Sequence, residues 1–264
     1  MAPDGSRPIR VMALVFSALA TMAICADAEG TDPLWRKAVA VAAAGDSVVP
    51  GIIDAKLDFL DSDGNVQNTK ETWTRVSLDP DGEIETATVR VVENGKEIPV
   101  EKPTPEDSAK AARERVERKA RNKNDPPEDE GFSINFGNHP FRPEDQDRVT
   151  ATPSGESKSI DGLTCVGYSF TRKEKDRVMK GTAWLQDSTG VPIELKFTED
   201  PLPKHVKHMV TTARWSTNGP FGWHLKDAVI EGMGGFLFIK KRVRVTSTFS
   251  EYWRIPQPAD RAGK

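Results

Sequence analysis

The chain has 264 residues, 37% of them hydrophobic and 29% charged, with a net charge of −3 at neutral pH. A chain of that length can bury a real core, and all-β domains often reach this size as one unit. The slight acidic excess removes the electrostatic case for nucleic acid or an anionic membrane surface as a partner.

The N-terminus reads as an export signal. Arg7 and Arg10 flank the start of an apolar stretch from Ile9 to Ile24, and Ala26-Asp27-Ala28 places small residues where a signal peptidase reads them. The stretch is shorter than the ~20 residues that a membrane-spanning helix needs. Cleavage after Ala28 is therefore expected, with residues 29–264 delivered to the periplasm of a Gram-negative envelope. An uncleaved anchor is the competing reading. A lipoprotein signal ending at Cys25 is disfavoured by the bulky Ile24 before it. The exported part then keeps Cys165 alone, so no internal disulfide forms, and Cys165 reads as a small buried apolar side chain within a strand.

Asp32-Pro33 opens a helical stretch, with Asp32 as N-cap, Pro33 as first helical residue and Leu34, Trp35, Ala38, Val39 and Ala42 on adjoining positions. Gly45 and Pro50-Gly51 end it. Strands follow. From Asp54 to Leu60, Ala55, Leu57 and Phe59 alternate with Asp54, Lys56 and Asp58. Asp61-Ser62-Asp63-Gly64 turns the chain into a partner through Thr72 to Val76. Asp79-Pro80-Asp81-Gly82 turns it again, and Glu85 to Val92 ends at the turn Glu93-Asn94-Gly95-Lys96.

Residues 103–130 are almost wholly charged residues, Ala and Pro, and are expected to form a helical insertion. Thr104 and Asp107 resemble a capping box, and the acidic start and basic end suit the helix dipole. The thin stripe Ala109, Ala112, Val116, Ala120 predicts a solvated helix over the domain, with a lid or partner-binding helix as the alternative. Asp125 to Glu130 reads as a loop. Gly131 to Ser159 carries few period signals, with Phe132, Ile134, Phe136 and Phe141 as anchors.

Strands resume at Leu163–Thr171, Gly181–Gln186, Pro192–Thr198, Lys207–Ser216, Phe221–Ile230 and Phe236–Phe249. The last puts Leu237, Ile239, Val243, Val245 and Phe249 opposite Lys240, Arg242 and Arg244. One apolar and one polar face is the pattern of an antiparallel sheet with one wet side. The glycines at 232, 234 and 235 read as a turn between two of these strands.

No chemistry stands out. His139, His205, His208 and His224 lack Cys, Asp or Glu partners at metal-site spacing. There is no nucleophile elbow, phosphate loop or dinucleotide fingerprint. No catalytic residue, metal ligand or cofactor is assigned. What remains is apolar surface on strands, including Trp35, Trp73, Trp184, Trp215, Trp223 and Trp253. Such residues fill a core or line a cavity for an acyl chain, which curved antiparallel sheets enclose well.

The run Asp161-Gly162-Leu163-Thr164-Cys165-Val166-Gly167-Tyr168 and the hairpin Gly181-Thr182-Ala183-Trp184-Leu185-Gln186-Asp187-Ser188-Thr189-Gly190-Val191-Pro192 resemble those of LolA-like proteins. Pro201-Leu202-Pro203-Lys204, Thr248 to Tyr252 and Asn94-Gly95-Lys96 fit their later strands and first-half turn. The resemblance covers about residues 50–100 and 158–253. It implies a mainly β domain with a few helices, in which a curved antiparallel sheet forms an unclosed β-barrel with helices over the mouth. It further implies lipid or lipoprotein acyl chains as ligand, as in lipoprotein sorting or RseB-type sensing, and no reaction. Leu57, Phe59, Trp73, Leu195, Phe197, Met209, Trp215, Val243 and Val245 are the expected lining of the cavity. Two other readings stay open: an envelope-stress or structural module that works by contact with an envelope protein, and a hydrolase of envelope polymers.

Overall fold

The computed structural model describes residues 32–78, 84–100, 139–202, 205–236 and 239–256. The expected signal peptide, the turn at Asp79–Gly82, the charged insertion at 103–130 and the anchors Phe132, Ile134 and Phe136 lie outside the described residues.

The chain enters through α1 (Pro33–Gly45), capped as the sequence predicts. The Asp32 carboxylate accepts the Leu34 amide at 2.8 Å. It also accepts the Tyr168 hydroxyl at 2.6 Å, so one side chain both starts the helix and ties it to the sheet. Burial works against that carboxylate, but the bonds from Tyr168 and the Leu34 and Trp35 amides hold its pKa below the usual value.

The strands are β1 (Val48–Val49), β2 (Ile52–Leu60), β3 (Val66–Leu78), β4 (Ile84–Glu93) and β5 (Lys96–Ile98). After a 3₁₀ helix at Pro143–Arg148 come β6 (Val149–Ile160), β7 (Leu163–Lys173), β8 (Val178–Gln186), β9 (Pro192–Asp200) and β10 (Val206–Ser216). The chain closes with β11 (His224–Phe236), β12 (Ile239–Ser250) and β13 (Trp253–Arg254). Strands β1 and β13 pair with each other, and the remaining 11 form one antiparallel sheet in the order β5-β4-β3-β2-β12-β11-β10-β9-β8-β7-β6. The sheet is curved and does not close, so β5 and β6 are its edges.

Directly opposed residues in an antiparallel pair point to the same face. The register therefore sorts every side chain into an inner face, which carries α1, and an outer face. On β7–β10 the inner face holds Tyr168, Phe170, Ala183, Leu195, Ala213 and Trp215, which join Trp35, Ala38 and Ala42 of α1 and Phe141 in the main core. Trp35 is fully enclosed and its indole N–H donates to Gln146 of the 3₁₀ helix at 3.0 Å. A smaller cluster of Ile160, Cys165, Trp184 and Ile193 lies apart from it. Burial raises the Cys165 thiol pKa, which suits the inert role the sequence predicts.

Two expectations are corrected. The glycines at 232, 234 and 235 lie inside β11 rather than in a turn. A Cβ at Gly234 would come within 2.6 Å of the His205 carbonyl oxygen, so the neighbouring backbone requires the glycine there. The stretch that ends at Ser159 contains the whole of β6 but for its last residue. That strand showed no period because it is an exposed edge with irregular pairing between Pro153 and Ser157, so no face of it must be apolar.

Candidate functional site

The inner face does not end with the main core. Across β2, β12, β11, β10 and β9 the register aligns Leu57, Val245, Ile230, Thr211 and Phe197 in one row. At about 4.8 Å per strand, that row is roughly 19 Å long. A second row aligns Phe59, Val243, Gly232 and Met209. All of these residues are half-buried, in contrast to the enclosed residues of β7–β10. Gly232 contributes no side chain at the centre of the second row. A Cβ there would meet only Val243 Cγ2 at 3.4 Å and the His208 carbonyl oxygen at 3.8 Å, so the gap is not imposed by crowding. The result is an apolar strip with a shallow break in it. Lys70, opposed to Leu57, and Lys241, two residues before Val243, put cations at its rim.

Six of the nine expected lining residues therefore share one surface: Leu57, Phe59, Phe197, Met209, Val243 and Val245. Three do not line it. Leu195 and Trp215 point to the same face but are sealed in the core. Trp215 stacks on Trp223 with centroids 5.2 Å apart and planes 8° from parallel, leaving no room for a ligand. Trp73 is on the outer face: it opposes Asp54, and the Arg90 guanidinium lies over its ring at 4.4 Å. The parity of β3 decides this, because Thr72 rather than Trp73 opposes the inner residue Ala55. Ile230 was missed, although it shares a face with Ala228 two residues before it on β11 and its spacing would have placed it.

Where the core meets the 3₁₀ helix lies a buried polar group. His139 is enclosed by Phe141, Trp215 and Trp223, edge-on to both indoles at centroid distances of 6.4 and 5.5 Å. Its Nδ1 accepts the Phe141 amide at 3.3 Å, which leaves the ring's proton on Nε2. Burial, reinforced by Arg142 and Arg172, brings its pKa down to about 4. Arg172 donates to the His139 carbonyl at 3.0 Å and pairs with Asp145 and Glu174. This arrangement fixes the segment that delivers Phe141 to the core. No group of three or more metal-ligating side chains occurs among the described residues.

No family model matches the chain, and no curated protein does. Among solved structures it is similar to an outer-membrane lipoprotein-sorting protein domain from Vibrio parahaemolyticus, at 11% identity and a TM-score of 0.37 over 86% of this chain and 96% of that one. A DUF1329 family protein from Desulfovibrio piger gives 12% identity and a TM-score of 0.38 over 85% and 94%. The Pseudomonas aeruginosa MucA/MucB complex gives 8% identity and 0.24 over 86% and 100%. At such identities and TM-scores none of them carries a function to this chain.

Proposed function

We propose that this chain is a non-catalytic binding protein of the periplasm that shields an acyl chain, borne by a lipid or a lipoprotein, on the open part of its inner face. The observation that supports this reading is the half-buried strip formed by Leu57, Phe59, Val243, Val245, Ile230, Met209 and Phe197, continuous with a core that is itself filled. Apolar side chains gathered on one face and left half-covered gain from a further apolar group, at ~0.8 kcal/mol per methylene removed from water. The rim lysines suit an anionic headgroup at the edge of the strip.

The test is native mass spectrometry of the chain purified from a periplasm without detergent, paired with uptake of a fluorescent fatty acid. Co-purified phospholipid or acylated peptide, with uptake abolished by Gly232→Val, supports the reading. Gly232→Val fills the break in the strip without a backbone clash, so it blocks a ligand and leaves the fold. A clean mass and no uptake by the parent chain would sink the acyl-chain reading. The envelope interaction module then leads. One feature favours it: the β3–β5 wing carries the exposed side chains Val66, Ile84, Val89 and Ile98, which suit contact with a protein.

A further inference from the structure

The outer face carries a second concavity behind the acyl strip, and its lining also takes in Gly232 and Val243. It lies across β2, β10, β11 and β12 and encloses about 280 Å³. Leu60 and Met233 form its apolar part, and Arg242, Arg244, Glu231 and His208 bring charge and donors to it. The register sets this up. Arg242 opposes Met233 and Leu60, while Arg244 opposes Glu231 and Asp58, so both guanidiniums project on the side away from α1. The sequence from Lys240 to Arg244 holds four cations in five positions, and residues two apart on a strand share a face.

The two arginines are engaged differently. Arg244 pairs with Glu231 through both Nε and Nη2, at 3.0 and 2.9 Å. Arg242 has no carboxylate partner among the described residues. Its Nη1 donates to the Ser62 carbonyl at 3.0 Å, which orients the guanidinium against the β2–β3 turn. The Asp61 carboxylate of that turn accepts from Asp63, Asn65 and Gln67 rather than from Arg242. Two guanidiniums, Arg242 and Arg244, against the one carboxylate of Glu231 give these side chains a net positive charge of one. The concavity's volume is below the ~300 Å³ at which sites for whole drug-sized ligands begin, so it fits a headgroup-sized fragment.

We infer that this outer concavity is a binding site for a singly charged phosphodiester with small polar arms, such as a glycerophosphodiester. A carboxylate presents its acceptors in one plane, whereas the tetrahedral oxygens of a phosphate group can take donors from Arg242, Arg244 and His208 from several sides. Glu231 opposes more highly charged anions, which sets the match at a monoanion. The ligand can come from a soluble glycerophosphodiester or from a phospholipid headgroup.

The test is calorimetric titration of the full chain with glycerophosphoglycerol, alongside co-sedimentation with phosphatidylglycerol vesicles. Saturable binding of the soluble compound, reduced at least tenfold by Arg242→Glu and unchanged by Arg214→Ala, supports a free ligand. Binding to vesicles alone with the same mutational pattern supports a headgroup source. Binding that Arg242→Glu does not weaken, or no binding in either arm, overturns the proposal, as does equal affinity for succinate. Fatty-acid uptake by Arg242→Glu is expected to match the parent chain, so failure here is separable from failure of the acyl-chain reading.

Discussion

Under α1 the inner face of β7–β10 is sealed, with Trp35, Ala38 and Ala42 over Tyr168, Ala183 and Leu195 and Phe141 at the remaining side, while Phe197 and Met209 farther along β9 and β10 stay half-buried. On β2, β11 and β12 the same face, in unbroken register, leaves Leu57, Ile230, Val243 and Val245 half-covered. The backbone is the same in both regions and so is the apolar chemistry. What differs, among the described residues, is the covering element. A sheet face is hydrophobic by alternation alone, but it becomes core only where a second layer supplies matching side chains. The filled region should therefore govern stability and the open region binding, and substitutions can be chosen to break that division.

The largest expected effect is in the sealed region. Trp35→Ala removes the enclosed indole and its bond to Gln146, and should cost about 3–5 kcal/mol in urea unfolding. A cost below about 1 kcal/mol would show that α1 is not the cover that fills this face.

His139 comes next and acts through pH. Its pKa in the folded chain is about 4, against an ordinary value of ~6.5 in the unfolded chain. The unfolded state thus binds the proton first. Stability is complete above about pH 6.5 and is lost as pH falls toward 4, by about 3 kcal/mol, with no further change from this group below that. The groups facing the ring are Arg142, Arg172 and Glu144, so a proton there meets two cations and one carboxylate. His139→Phe should flatten the stability profile between pH 6.5 and 4, as read by chemical unfolding at each pH. An unchanged slope would place the titration elsewhere.

The paired comparison is smaller but more direct. Leu195→Asn buries an amide in the core and should destabilise by about 3 kcal/mol. Leu57→Asn, on the half-buried strip, should cost about 1 kcal/mol while reducing fatty-acid uptake at least tenfold. Equal costs at the two positions would mean that the strip is core, and the division between the regions would fall.

The architecture was more legible in the residues than the site. Alternation on β2 and β12, the turns at Asp61–Gly64 and Asn94–Gly95, and the Asp32-Pro33 helix start each follow from local rules, and each is where those rules put it. β6 was not legible, because an exposed edge imposes no apolar period. The glycines of β11 misled because a glycine marks either a turn or a close backbone approach, and only the position of His205 tells which. For the site, the sequence supplied the apolar set but not its partition. That Trp215 is stacked away while Val245 is open depends on where α1 and Phe141 lie, which no strand encodes by itself.

Trp73 provides the smallest and sharpest test of face assignment. A tryptophan in a β-rich chain invites a place in the ligand strip, yet one residue of parity puts it on the other side, beside Asp54 and beneath Arg90. Desolvation and the neighbouring Glu71 raise the Asp54 pKa, which marks this side as a partly covered, charged surface rather than an acyl-chain site. Trp73→Leu forfeits a cation–π contact of about 0.5–1 kcal/mol and should leave fatty-acid uptake at the parent level. The same substitution should raise the accessibility of Arg90, which pairs with Glu97 across the β4–β5 hairpin at 3.3 Å. If uptake fell with Trp73→Leu while Leu57→Asn left it intact, the ligand would lie on the outer face. The inner strip would then be only the uncovered margin of the core.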